Sequence, residues 1–167
     1  MILENNMILI RKAKQSDMYF IGSCHYHCWQ ETYRGLISDD YLNGLNEQNN
    51  IKRFEGYWNL IGENQYIVEE KHTPIGFFDI SKARDHYAPF EVQGLYIRKA
   101  YHHKGYGRKI LEYIVNYVNG PFYLWCLSTN PTCSFYEHMG GKMIAEKQVM
   151  IGGRLETEIC FYFENKK

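Results

Sequence analysis

Hydrophobic and polar positions take on three different rhythms along this chain, and the changes between them mark out a mixed α and β fold. Met7 to Lys12 is a strand candidate, and Ser16 or Asp17 can cap a helix running to about Trp29, with Phe20 or Ile21, Cys24 and Cys28 as its apolar stripe. Ser38 can cap a short turn through Tyr41 and Leu42. Asn46 then opens a longer helix to about Ile61, where Ile51, Phe54, Trp58 and Ile61 recur at helical spacing. The rhythm next becomes that of strands. Tyr66 to Glu70 and Ile75 to Ala83 read as a hairpin turned at Lys71 to Pro74, and Phe90 to Ile97 follows the loop Asp85 to Pro89.

In the second half, Ile110, Leu111, Ile114, Val115 and Val118 share one face of a helix that stops at Asn119-Gly120-Pro121. Phe122 to Leu127 is almost wholly apolar, as a strand buried on both faces is. Asn130-Pro131 reads as an N-cap and first helical residue of a short helix to about Met139, ended by Gly140-Gly141. Two closing strands, Lys142 to Met150 and Leu155 to Phe163, meet at the hairpin signal Gly152-Gly153. The order is β, α, α, three strands, α, β, α, β, β.

A chain of 167 residues has the length of one domain, here residues 1–167. Hydrophobic residues at 45% and charged residues at 23% suit a soluble protein, and no apolar run approaches the roughly 20 residues of a membrane span. The opening Met1 to Asn6 has neither the basic nor the long apolar region of a secretory signal, and five cysteines make an odd count for a disulfide framework. A cytoplasmic location without membrane partners is expected.

One loop departs from this ordinary background. Between the strand ending at Ile97 and the helix opening near Arg108 lies His102-His103-Lys104-Gly105-Tyr106-Gly107. Its two glycines let successive N–H groups turn toward one point, and the following helix adds its positive N-terminal end. Arg98, Lys99, Lys104, Arg108 and Lys109 fall in a stretch, 92 to 111, without a single Asp or Glu. That concentration of charge within a chain of formal net charge zero suits one phosphorylated small molecule better than a nucleic acid, so no nucleic-acid partner is expected. Cys24-His25-Tyr26-His27-Cys28 carries metal-ligand chemistry, but on a helix the cysteines and histidines point different ways and no second pair follows. No metal is expected, and Cys126 and Cys133 read as packing residues.

Taken together, these motifs resemble the GCN5-related N-acetyltransferases. His102 to Gly107 matches the glycines and spacing of that family's Gln/Arg-x-x-Gly-x-Gly/Ala loop, with His102 in place of Gln or Arg. Pro131, Phe135, Tyr136, Glu137 and Gly140 match the family's second signature, whose usual Asn falls on Thr129 while the actual Asn130 comes one residue late. Ile10-Arg11-Lys12-Ala13 and Ser16-Asp17 resemble the family's opening. The resemblance implies an α+β fold in a three-layer α/β arrangement: one domain with a central mixed, mostly antiparallel sheet flanked by helices, its strands splayed at the cofactor site. It implies acetyl-CoA as cofactor, an amine acceptor, and pairing of the pantetheine arm with the strand of Leu95, Tyr96 and Ile97, beside the loop residues His102, His103, Lys104, Gly105, Tyr106, Gly107 and Arg108. Thr129, Asn130 and Tyr136 would complete the cofactor contacts. C-terminal strands in such folds often pair across a dimer, so a homodimer is one expectation.

The chemistry of moving an acetyl group from a thioester to an amine needs a base, an oxyanion site and an acid for the departing thiolate. Glu91 is the expected base, acting through water if partial burial raises its pKa toward neutrality, with Gln93 two residues on to position that water. Backbone donors near Leu95 and Ile97 would serve the oxyanion, and Gly94 would mark a bulge or a close approach of another chain. Tyr136 is the expected acid. By position in the family's fold, Trp29, Tyr33, Arg34, Tyr87 and Trp125 would wall the acceptor pocket, suiting a small-molecule amine of polyamine or amino-acid type. The alternative is a non-catalytic module that senses acyl-CoA.

Overall fold

In the computed structural model, which describes residues 7–165, the strands are β1 (Ile8–Lys12), β2 (Gln65–Glu70), β3 (Thr73–Lys82), β4 (Phe90–Ile97), β5 (Phe122–Leu127), β6 (Lys142–Ile151) and β7 (Arg154–Phe163). The α-helices are α1 (Met18–Tyr33), α2 (Asp39–Gly44), α3 (Glu47–Gly56), α4 (Trp58–Ile61), α5 (Tyr106–Tyr117) and α6 (Thr132–His138). The segment Met1 to Asn6, read above as no secretory signal, lies outside the described residues.

Local chemistry accounts for most of these boundaries. Lys71 and His72 both take positive φ, the primed-turn geometry that matches strand twist, and so close the β2–β3 hairpin with Glu70 opposite Thr73. The Ser38 hydroxyl accepts from Tyr41 N–H and the Asn46 side-chain Oδ1 from Asn49 N–H, capping α2 and α3. The helix expected from Asn46 to Ile61 is broken at Tyr57. There the chain turns after Gly56, and the Trp58 ring lies so close over Gly62 that a Cβ would fall 2.2 Å from it.

The strands form one sheet in the order β1-β2-β3-β4-β5-β7-β6, antiparallel throughout except between β4 and β5. Side chains alternate between its faces. On one face, Ile110, Leu111 and Ile114 of α5 and Tyr136 of α6 pack against Val68, Phe78, Ile80, Val92, Leu124 and Phe161. On the other, Met18, Ile21, Cys24 and Cys28 of α1 cover Ile67 and Phe77. Each such aliphatic side chain stabilises the fold by about 1.5–3 kcal/mol relative to exposure. Gly22 lets α3 approach α1, since a Cβ there would meet the Ile51 backbone at 2.6 Å.

Two features of this sheet create the site. Between Phe78 and Asp79 the β3–β4 register shifts by one, so Gly94 is the extra residue of a bulge, at φ +69°. Among the described residues the β4–β5 ladder comprises only Phe90 opposite Phe122 and Glu91 opposite Tyr123. Beyond Glu91 the two strands part, and the edge of β4 facing β5 has no strand beside it.

Candidate active site

The parting of β4 and β5 opens a cleft of about 240 Å³ that passes through the sheet. Val92 to Ile97 form one wall, Leu124 to Leu127 the other, and Trp29, Tyr33, Asn130 and Tyr136 close the sides. Glu91 and Tyr136 both line it, as do Leu95, Tyr96, Ile97, His102 and Trp125. Residues placed far apart in sequence are thus brought to one cavity because a bulged strand cannot stay in register with its parallel neighbour.

At the mouth of the cleft, a glycine-rich turn leads into α5. His103 and Gly105 both take positive φ, flanking Lys104, an alternation that turns backbone N–H groups inward to form an anion nest. Lys109 N–H is bonded to Gly105 O at 3.3 Å, so the N–H groups of Tyr106, Gly107 and Arg108 have no acceptor within the helix. A Cβ at Gly107 would stand 3.1 Å from the Phe135 ring, so this glycine lets α5 approach α6. Lys104 pairs with Glu70 at 3.2 Å and Arg108 with Glu112 at 2.9 Å, both at the surface, where such pairs are weak enough to yield to a phosphate. His102 Nε2 lies 2.7 Å from Ile97 O and ties the loop to the end of β4. Nest, cations and unpaired strand edge fit a phosphorylated cofactor with an extended amide-bearing arm, as coenzyme A has. Tyr106 differs from its neighbours: its ring is buried in the core and its hydroxyl donates to Glu70, so only its backbone faces an anion.

Deeper in, Glu91 is 1% exposed. Burial does not leave its carboxylate alone. Arg84 Nη2 donates to Oε1 at 2.6 Å, Arg84 Nε to Oε2 at 3.1 Å and Arg84 N–H to Oε2 at 3.3 Å, and the Tyr123 hydroxyl donates to Oε2 at 3.1 Å. Burial pushes Tyr123 up to about 12, so it stays a donor. Gln93 also lines the cleft. Its Nε2 donates to Ser81 Oγ at 2.8 Å, which leaves its amide oxygen as the atom available to an amine.

Across the cleft, burial raises the Tyr136 phenol well above its ordinary value, and Tyr33 is raised by the same cause. Both remain protonated at neutral pH and can only give or share a hydrogen bond. Trp29 Nε1 donates to the Tyr96 hydroxyl at 3.2 Å, and Asn130 Nδ2 donates to the Tyr33 hydroxyl at 3.1 Å while its oxygen accepts from Thr132 N–H at 2.9 Å. Asn130 therefore links α6 to α1 at the cleft wall. Thr129 is exposed and outside the lining.

Two residues expected at the acceptor pocket lie elsewhere. Arg34 is spent on Gln30, Asn43 and Asp39 at the corner between α1 and α2. Tyr87 stands on the loop outside the cleft lining, its ring 6.0 Å from that of Trp125. Of the cysteine and histidine cluster, Cys24 and Cys28 point into the core with sulfurs 3.8 Å apart, His25 packs among Trp29, Phe54 and Tyr96, and His27 meets Glu47. Sequence reasoning did not find Arg84, Tyr123 or Asp85. Nothing in their spacing signals that a loop cation and a strand hydroxyl meet on Glu91 while Asp85 ties the loop to Tyr123 and Trp125.

Comparison with known proteins agrees with this geometry. The family profile described as the acetyltransferase (GNAT) domain matches residues 62–140. YuaI of Bacillus subtilis, an uncharacterized N-acetyltransferase, is 28% identical over 155 residues, covering 88% of this chain and 87% of its own. The structure of YncA from Salmonella typhimurium, solved with its cofactor acetyl-CoA, superposes with a TM-score of 0.68 at 19% identity, covering 97% of this chain and 96% of that one. That of the PaiA N-acetyltransferase from Thermoplasma acidophilum, in complex with coenzyme A, has a TM-score of 0.63 at 20% identity, with 92% and 98% covered.

Proposed function

We propose, from the premise that this chain belongs to the GNAT acetyltransferase family, that it moves an acetyl group from acetyl-CoA to the primary amine of a small molecule by direct attack in a ternary complex. The observation that carries this reading is one cleft in the gap between β4 and β5, lined by both Glu91 and Tyr136 and by His102, the residue that leads into the anion nest. Bound acetyl-CoA supplies an acetyl thioester; the rest falls to the protein. His103 to Arg108 hold the phosphates through backbone N–H groups, and the free edge of β4 from Val92 to Ile97 pairs the amide-bearing arm.

The acceptor enters from the face carrying Glu91, Gln93 and Trp125. Gln93 accepts from its nitrogen, and Glu91 takes the proton that an ammonium must lose, directly at Oε1 or through water. As nitrogen bonds to the acetyl carbon and the carbon–sulfur bond breaks, Tyr136, which burial keeps protonated, donates a hydrogen bond and then its proton to the leaving sulfur, and regains a proton from solvent before the next turnover. Backbone N–H groups near Leu95 and Ile97, turned out by the Gly94 bulge, stabilise the charge on the oxygen.

Release of free thiol from acetyl-CoA, with pooled amines as acceptors, tests the reading. Glu91→Gln and Tyr136→Phe should each lower kcat by about 100-fold or more while leaving coenzyme A binding within a few-fold of wild type. Amine-dependent release unchanged in both variants would remove these two residues from the mechanism. Tight binding of acetyl-CoA with no release from any amine class would favour an acyl-CoA sensor instead.

A further inference from the structure

Arg84 is a cation that acetyl transfer does not require. Its side chain is 63% exposed at the mouth of the cleft, yet it holds a carboxylate that is 2% exposed. Only Nε and Nη2 are used on Glu91, and among the described residues no hydrogen bond engages Nη1. We propose that Arg84 is an anion subsite for the acceptor, and that the acceptor is a free amino acid or a close analogue, carrying a carboxylate within a few bonds of its amine. This rests on the acetyl-transfer reading above and adds the acceptor's class to it.

Three observations lead there. The loop that carries Arg84 is held in place before any ligand arrives. Asp85 N–H donates to the Tyr123 hydroxyl at 2.9 Å, Trp125 Nε1 donates to Asp85 Oδ2 at 3.1 Å, and Ala83 N–H reaches Pro89 O at 3.0 Å. On this held loop the guanidinium is oriented by Glu91 through Nε and Nη2, and its remaining N–H groups lie in the planar fork that a carboxylate matches.

Charge balance selects the partner. A zwitterion docking beside the Arg84–Glu91 pair sets its ammonium toward Glu91 and Gln93 and its carboxylate on the Nη1 edge of Arg84, so the existing pair is kept and both ligand charges gain a partner. A polyamine brings only positive charge toward Arg84. Lys147, 4.0 Å over the Trp125 ring, is matched by Glu158 at 3.4 Å on the cleft wall, so Arg84 is the cation whose remaining N–H groups face the acceptor. Distance then excludes a peptide N-terminus, because the two charges the acceptor must meet are in contact at 2.6 Å, whereas a peptide's carboxylate lies at its far end.

Thiol release by the full chain with saturating acetyl-CoA decides the matter, using the common amino acids, the same compounds as carboxamides, their decarboxylated amines, dipeptides and spermidine. The expected result is a kcat/KM for one or more amino acids at least about tenfold above that of the matching carboxamide and decarboxylated amine. Arg84→Gln should bring the ratio of kcat/KM for the acid over the amide and the amine from at least about tenfold to near one, whatever common loss the three share through Glu91. Because this change strands the Glu91 charge, Arg84→Gln/Glu91→Gln is the folding control, read by calorimetric binding of amino acids to the coenzyme A-loaded protein; it should bind acids no better than amides. Wild-type preference for decarboxylated amines or spermidine, or a preference for acids that survives Arg84→Gln, overturns the proposal. If no amine of any class gives release, the transfer reading itself fails, and calorimetry on wild type then judges the subsite: Arg84-dependent binding of amino acids upholds it and absence of binding overturns it.

Discussion

Asp79 on β3 keeps its carboxyl out of water beside Gln65. Gln65 Nε2 donates to its Oδ2 at 2.8 Å, but Asp79 Oδ1 and Gln65 Oε1 are buried without partners. Burial, aided by the nearby Glu91 charge, lifts Asp79 from 3.8 to about 7. Between those values the folded chain binds a proton that the unfolded chain has lost, so the contribution of Asp79 to stability is greatest below about 4, falls as pH rises from there to about 7 and is flat above. The loss amounts to about 2–4 kcal/mol. Buried His25, lowered to about 4, works the other way over part of this range, so urea unfolding at pH 5 and pH 8 should show the fall in the difference between wild type and Asp79→Asn; a difference that does not change with pH would assign the effect to another group. Such a site is invisible in the sequence, where Gln65 and Asp79 are two polar letters among several in their strands and nothing marks them as facing each other. Glu91 and Tyr136 were legible as cleft residues from their spacing to the loop glycine and within the second signature, whereas Trp29, Tyr33 and Trp125 came only from position in the family's fold, a ground that also named Arg34 and Tyr87, which lie outside the lining. Arg84 was not legible, since loop conformation alone folds it back on Glu91.

The strand β4 shows how one residue shapes an element. Gly94 stands at φ +69°, and a Cβ there would meet the Tyr96 ring at 2.8 Å. Gly94→Ala should therefore cost about 1–2 kcal/mol of stability and lower the transfer rate, by removing the bulge that turns β4 away from β5. Chemical denaturation together with the thiol assay would check it, and an undisturbed variant would mean that the bulge is not needed. A second element-level test concerns the anion nest. Glu70, at the end of β2, draws Lys104 and the Tyr106 hydroxyl toward itself. Glu70→Gln frees Lys104, so coenzyme A should bind roughly two- to fivefold tighter by calorimetry; weaker binding would show that Glu70 orders the loop rather than competing for its cation. Phe90–Ile97 and Phe122–Leu127 were readable as strands from composition and periodicity. The helix from Asn46 to Ile61 was not read correctly, because its spacing of apolar residues continues through a break made by Gly56 and by the Trp58 ring lying across Gly62.

Across the whole molecule, the gap between β4 and β5 is an unfilled space in the middle of a sheet, and a ligand that bridges it should stabilise the fold. Coenzyme A at 100 times its Kd adds about 2.7 kcal/mol, which for a chain of this size raises Tm by about 5–10 °C. Lys104→Ala with Arg108→Ala should reduce that shift, and a wild-type melt indifferent to coenzyme A would dismiss the anion nest as a cofactor site. The same view separates two kinds of information. Periodicity, capping residues and glycine spacing act over a few positions, so the order of elements, the position of the nest before α5 and the burial of β5 could be read directly from the chain. The cleft could not. It exists because the bulge at Gly94 breaks register with β5, because α1 and α6 close its sides through Tyr33 and Asn130, and because a loop pinned by Tyr123 and Trp125 sets Arg84 on a buried Glu91. Those are contacts between residues distant along the chain, and only a folded sheet brings their charges near enough to decide what the site can bind.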